Sequence, residues 1–315
     1  MIPGMIAEHL VARGLAGSTA ELDIRPLAGG VSNDVFAVTG PGLDVVVKRA
    51  LGRLRVAETW LADPGRIDTE GRALRLAGHI APGAVPEVID LADGYLVIAR
   101  APERWHTWKD ELLAGTVRID VARALGRALD QWQRAGAEAL REFTDRTAFT
   151  QLRVDPFHRV IRDRHPDLAG PIDTTLAVMA ETPPRLVHGD YTPKNVLVDP
   201  SGDGLWMIDW EVAHAGDPTF DPAWTVGHLL LKSLHRPASA RHYAAAAREF
   251  LDALTTPLDQ AQLIRQTGCL VLARVDGKSP ADYLDDHARA RARALGRRLL
   301  LDPPAVVTDA WKDLR

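Results

Sequence analysis

Residues 188–211 constrain this chain more than any other stretch. They run His188-Gly189-Asp190-Tyr191-Thr192-Pro193-Lys194-Asn195, then the apolar Val196-Leu197-Val198, a Ser201-Gly202-Asp203-Gly204 turn, and Ile208-Asp209-Trp210-Glu211. Short apolar runs around a Gly-containing turn predict loop, strand, turn, strand, loop. A hairpin there brings Asp190, Asn195 and Asp209 to one end. Such a set suits phosphoryl transfer with magnesium: one carboxylate orients the attacking hydroxyl, and hard oxygen atoms hold the metal. In an extended chain Glu211 falls on the same side as Asp209, which makes Asn195, Asp209 and Glu211 the metal candidates. The simpler reading of His-Gly-Asp is a turn with local side-chain to backbone bonds, and His188 is expected to brace it.

The pattern on either side differs. Residues 5–14 have helical spacing, and strands are expected at 22–26, 35–38, 43–48, 85–91 and 95–98, with a helix over 66–78. Asp93-Gly94 is a strong hairpin signal. From about residue 109 helical periods dominate, at 119–134, 221–234, 239–254, 258–275 and 280–300, with Pro237 and Pro257 as breaks. The expected class is α+β, with a small β-rich lobe over 1–98, a connector over 99–108 and a larger helical lobe over 109–315.

Composition narrows the partners. The chain has 315 residues, 46% of them hydrophobic, so a large core is within reach. A net charge of -4 offers no general attraction for nucleic acid or an anionic membrane. One cysteine, Cys269, precludes an internal disulfide and fits a reducing cytoplasm. No apolar run reaches the ~18 residues of a membrane span, and the first residues lack a signal-peptide pattern.

Upstream residues complete a site. Val46 and Lys48 point to one face of a strand. Lys48 is read either as a phosphate partner or as an edge lysine reaching water. Glu70 shares a helical face with Ala73, Leu74 and Ala77, and a buried glutamate needs a partner, for which Lys48 is the candidate. The Gly29-Gly30 turn can offer backbone N–H groups to phosphate, and Ser32 and Asn33 add side-chain donors; an ordinary hairpin has the same composition. Trp105 and Trp108 are read as an apolar wall for an acceptor or as core packing. Asp217 either braces the loop or lines the acceptor site. Asp221 is expected to cap the helix that follows and to hold the catalytic loop. The basic run from Arg289 to Arg298 is read as a helix with acids first and bases last.

His188-Gly189-Asp190 with Asn195, Ile208-Asp209 and Gly216-Asp217-Pro218 with Asp221 resembles the aminoglycoside phosphotransferase and choline kinase superfamily, over roughly residues 27–222. The resemblance implies a bilobal protein-kinase-like fold that phosphorylates small molecules with ATP and Mg2+. It implies Asp190 as catalytic base, Asn195 and Asp209 as metal ligands, and Lys48 paired with Glu70 on the ATP phosphates. It also implies that the connector near Val97–Ala101, with Ala99 at its centre, takes the adenine. A narrower stretch, Lys48-Arg49-Ala50-Leu51, Glu58-Thr59-Trp60, Arg66 and Glu70, is similar to methylthioribose kinases, as is Asp209-Trp210-Glu211. The chain is one residue shorter between lysine and tryptophan than that group, and Asn195 follows the general pattern instead.

The expected function is therefore transfer of the γ-phosphate of ATP to a hydroxyl of a small molecule, with a sugar or nucleoside-like alcohol as the leading acceptor. An aminoglycoside-type antibiotic kinase and a catalytically inactive nucleotide-binding module are the alternatives. The end of the chain lacks the acidic-aromatic tail with which some aminoglycoside kinases bind a polycationic drug.

Overall fold

The computed structural model describes residues 2–27, 32–55, 60–202 and 204–314. Gly29 and Gly30 of the expected phosphate turn lie outside the described residues, as do Glu58 and Thr59. The amino-terminal part is built on α1 (Ile2–Ala12) and five antiparallel strands: β1 (Asp23–Pro26), β2 (Asn33–Gly40), β3 (Leu43–Ala50), β4 (Val88–Ala92) and β5 (Tyr95–Ala99). Their order is β1-β2-β3-β5-β4. At the β4–β5 turn Asp93 and Gly94 take φ of 52° and 77°, the left-handed pair that a tight hairpin favours.

Alternation along β3 divides the sheet into two working faces. Val45 and Val47 pack with Ile6 and Leu10 of α1 in a small outer cluster. Val46 and Lys48 face the cleft below. Helix α2 (Arg66–Ile80) lies against the sheet and carries Glu70. At Gly71 an added Cβ would stand 2.7 Å from Leu91 of β4, so glycine sets how closely α2 approaches the sheet.

After β6 (His106–Thr107) and α3 (Trp108–Ala114) the chain is mainly helical: α4 (Ile119–Gln133), the short α5 (Ala137–Leu140), and α6 (Thr147–Phe149). A π-helical run, Thr150–Arg159, continues from α6 into α7 (Val160–Arg164), and α8 (Ala169–Glu181) follows. Pro156 lies inside the π-helical run and cannot donate to an α-type ladder, which favours the wider turn. β7 (Arg185–Val187) pairs with β10 (His214–Gly216), and between them β8 (Val196–Val198) and β9 (Leu205–Met207) form the expected hairpin. Helices α9 (Phe220–His235), α10 (Ala240–Asp252), α11 (Gln260–Asp276) and α12 (Asp286–Leu301) complete the fold.

Helix α9 buries 14 of its 16 residues, which makes it the central helix against which α10, α11 and α12 pack. Some expected starts move: β4 begins at Val88 rather than at residue 85. α12 begins at Asp286 rather than near residue 280, because Asp285 is the residue whose side chain caps it, accepting from the Ala288 N–H. α9 begins at Phe220 with Thr219 at its N-cap, so Asp221 lies in the first turn and does not cap the helix. Among the described residues no helix is long and apolar enough to cross a membrane.

Candidate active site

The turn before Asp190 is fixed by buried groups. Gly189 has φ +82°, and a Cβ there would meet the Val212 carbonyl oxygen at 2.8 Å, so only glycine fits. Both oxygens of Asp221 accept backbone N–H bonds, from His188 at 2.7 Å and Gly189 at 2.9 Å. Burial pushes the Asp221 carboxyl up to about 7, against the pull of those two N–H groups. His188 accepts the Asp190 N–H on Nδ1 and donates from Nε2 to the Ile208 carbonyl, which ties the Asp190 loop to the Asp209 loop. The bracing roles expected of His188 and Asp221 are what the structure displays.

Asp190 is 4% exposed and meets three donors. Arg153 Nη2 at 2.8 Å, Lys194 Nζ at 2.9 Å and Asn195 Nδ2 at 2.9 Å all reach the same oxygen, Oδ2. Oδ1 is the oxygen left for a hydroxyl. Burial alone would raise this carboxyl, but Arg153 and then Lys194 outweigh it and hold the group far below the usual carboxylate range. Arg153 comes from the π-helical run and also donates from Nε to the Gly189 carbonyl. The Asn195 nitrogen is spent on the Asp190 side chain and carbonyl, so its oxygen is the atom available to a cation.

Across the cleft Lys48 bridges two acids, Glu70 Oε1 at 2.5 Å and Asp209 Oδ1 at 3.1 Å. Burial would favour the neutral amine; Glu70, then Asp209, reverse that and raise the Lys48 pKa above its ordinary value. Asp209 has φ +70°, an uncommon backbone state for a residue with a side chain and one that collects at functional sites. Burial raises the Asp209 carboxyl and Lys48 outweighs it, so the net shift is downward. Glu211 Oε2 accepts from Arg66 Nε and from Asn33 Nδ2, both at 2.9 Å. Arg66 also donates to the carbonyls of Ser32, Leu51 and Asp63, and so gathers β2, β3 and α2 onto Glu211.

Two adjoining cavities flank these groups. One, of about 750 Å³, lies between sheet residues Val35, Val46 and Ile98 and hairpin residues Leu197 and Ile208, with Ala99 at one edge. Ser32, Asn33, Lys48, Asn195 and Asp209 also line it. A slot with apolar walls and polar groups at one site is the usual form of a nucleotide pocket. The unspent oxygens of Asn195 and Asp209 fit a hard divalent cation. Within this region Asn33 Oδ1 and Glu70 Oε2 are buried without a hydrogen-bond partner among the described residues. The second cavity, about 180 Å³, has Asp190, Trp60, Phe157 and Trp224 among its walls.

Three expectations for the acceptor side are corrected. Trp108 is fully buried in the main core, so it forms no substrate wall. Trp105 packs on Trp206 at 5.3 Å between ring centroids and does not line the cavity beside Asp190. Asp217 accepts from Thr219, Gln262 and Gln266 and braces the loop before α9. The two tryptophans are taken by long-range packing, and Asp217 takes the bracing reading through local bonds from Thr219 and distant ones from Gln262 and Gln266.

Residues 23–260 match the profile of the phosphotransferase enzyme family. The chain belongs to that family. It is a phosphotransferase of small molecules with an alcohol group as acceptor. No curated protein matches the chain. Among solved structures, it is similar to a choline/ethanolamine kinase family protein from Mesorhizobium loti, at 21% identity over 100% of this chain and 99% of that one, with TM-score 0.55. A macrolide 2'-phosphotransferase, MphH from Brachybacterium faecium, aligns at 18% identity, covering 95% and 99%, with TM-score 0.55. Amicoumacin kinase hAmiN, solved with AMP-PNP, Ca2+ and Ami, aligns at 14% identity, covering 98% and 97%, with TM-score 0.58. These likenesses establish the α+β, bilobal kinase-like fold of the phosphotransferase.

Proposed function

We propose that this phosphotransferase uses ATP and magnesium to phosphorylate a hydroxyl of a small molecule, a sugar or nucleoside-like alcohol. We further assign residues 1–98 to nucleotide binding, 99–108 to the connector and 109–315 to catalysis and acceptor binding. The observation that carries the reading is the asymmetry of Asp190: three donors converge on Oδ2 and none of them on Oδ1, and Asp190 and Asp209 line one cavity. Oδ1 accepts the acceptor hydroxyl and orients it for in-line attack. The hydroxyl oxygen bonds to the γ-phosphorus as the bond from that phosphorus to the bridging oxygen breaks. ADP leaves with the electron pair, and the hydroxyl proton passes to Asp190. In a loose transition state that proton moves late.

Lys48, held by Glu70, places its charge on the phosphates. Val46, Leu197 and Ala99 line the cavity that would take the purine, and Ser32 and Asn33 would offer donors to the phosphates. Asn195 and Asp209, and Glu211 through the oxygen not bound to Arg66, would hold magnesium, which would neutralise charge on the transferring group. The test is Asp190→Ala with a panel of sugars, nucleosides and amino alcohols. Turnover is expected to vanish while ATP binding, read by calorimetry, survives. An Asp190→Ala enzyme that still phosphorylates its acceptor would remove Asp190 from this role.

A further inference from the structure

The cavity beside Asp190 has three acids in its wall, and each is already matched by a cation. Asp190 is held by Arg153 and Lys194, Asp209 by Lys48, and Glu211 by Arg66. Arg274 of α11 lines the same cavity and is not matched. Its Nη1 donates to Ser279 alone, at the backbone oxygen and at Oγ. Its Nε is buried without an acceptor, and no carboxylate lies within ion-pair distance of it among the described residues.

Two further basic groups stand with it. His228 of α9 lines the cavity, and Lys232, one turn later, is 1% exposed. Lys232 makes its contact with the face of Tyr283, 5.4 Å from the ring centroid, and among the described residues has no carboxylate at ion-pair distance. Burial, and then Arg274, depress the Lys232 ammonium. Burial keeps the His228 imidazole well below its ordinary value, so Arg274 carries the lasting charge; Asp190 and Asp282 act on it only from beyond ion-pair distance, and a buried charge without a close partner is costly to keep. A ligand that brings negative charge into the cavity removes that cost.

We propose that the acceptor carries an oxyanion, a carboxylate or a phosphate monoester, which docks on Arg274 while its hydroxyl lies at Asp190. The proposal rests on the phosphotransferase reading above and adds the substrate class. Among the described residues Nε and Nη2 of Arg274 are uncommitted, and a planar guanidinium matches two oxygens of one oxyanion. Trp60, Phe157 and Trp224 take the carbon skeleton. At about 180 Å³ the cavity falls below the ~300–1,000 Å³ of drug-sized pockets, which favours a small metabolite. A polyamine drug or a quaternary ammonium alcohol meets repulsion from Arg274.

The experiment uses the full chain with ATP and magnesium and four matched acceptor sets: hydroxy acids, sugar and polyol phosphates, their neutral parents, and amino alcohols. Turnover is expected in an anionic set, with kcat/KM at least about ten-fold below it for the neutral parents. Which anionic set responds separates carboxylate from phosphate. Arg274→Met is expected to raise KM for the anionic acceptor by about 10–100-fold with kcat little changed, and Arg274→Lys to restore part of it. Retained ATP binding shows that the variant is folded. In parallel, inorganic phosphate and malonate are expected to raise the Tm of the wild type and not of Arg274→Met.

Equal turnover of neutral or amino acceptors overturns the proposal, as does an unchanged KM in Arg274→Met. Absence of both turnover and Arg274-dependent stabilisation overturns it too. The phosphotransferase reading has its own readout, slow ATP hydrolysis that Asp190→Ala abolishes, so either idea can fail without the other.

Discussion

Arg66 Nε and Glu211 Oε2 form a buried ion pair, 2.9 Å long, that joins the first turn of α2 to the loop after Asp209. The Arg66 side chain is 0% exposed and that of Glu211 is 3% exposed. Removing one member leaves the other charge buried, which costs about 3–5 kcal/mol. Arg66→Met and Glu211→Gln are each expected to lose stability on that scale, and the double variant to lose less than the sum of the two. Urea unfolding of all four proteins gives the coupling. Additive losses would show that the pair does not act as a unit.

Arg153 sets the charge of Asp190, and this gives a pH signature. The Asp190 carboxyl is depressed, so its contribution to stability is present above the ordinary value of 3.8 and is lost only as pH falls through the lower folded value. In the wild type, kcat/KM therefore shows no acid limb from Asp190 between about pH 5 and about pH 8. Arg153→Met removes the largest lowering influence and moves the limb upward, toward the assay range. A pH profile of the variant identical to that of the wild type would show that Arg153 does not tune the group.

These two arginines also mark where sequence reasoning stops. Lys48 and Glu70 were legible because strand alternation and helical spacing each define a face within one element. Asp190, Asn195 and Asp209 were legible because one hairpin, within residues 188–211, carries them all. Arg153 sits in a π-helical run interrupted by Pro156, where the 3.6-residue period fails, and it reaches Asp190 only through tertiary packing. Arg66 opens α2, but its partner Glu211 is 145 residues away. Arg274 lies on α11 with no motif around it. Trp105 and Trp108 had two readings, substrate wall or core packing, and long-range packing decides for the second; Asp217, read as brace or acceptor residue, is a brace. A partner chosen by packing leaves no local period to read.

Lys232 provides the last prediction, on stability against pH. Burial first, then Arg274 and Lys109, push its ammonium from the ordinary 10.5 down to about 7. Below about pH 7 the group is charged in both folded and unfolded chains, and the fold bears the full cost of the buried charge. Between the folded and the ordinary value the unfolded chain binds a proton that the folded chain lacks, so stability rises with pH across that window. The gain is at most about 5 kcal/mol. Lys232→Met removes the charge and keeps the packing volume close to that of lysine. It is expected to be more stable than the wild type at neutral pH, with the difference shrinking as pH approaches about 10. Urea midpoints of both proteins at several pH values measure this directly. A difference that stays constant with pH would mean that Lys232 is not the group that titrates.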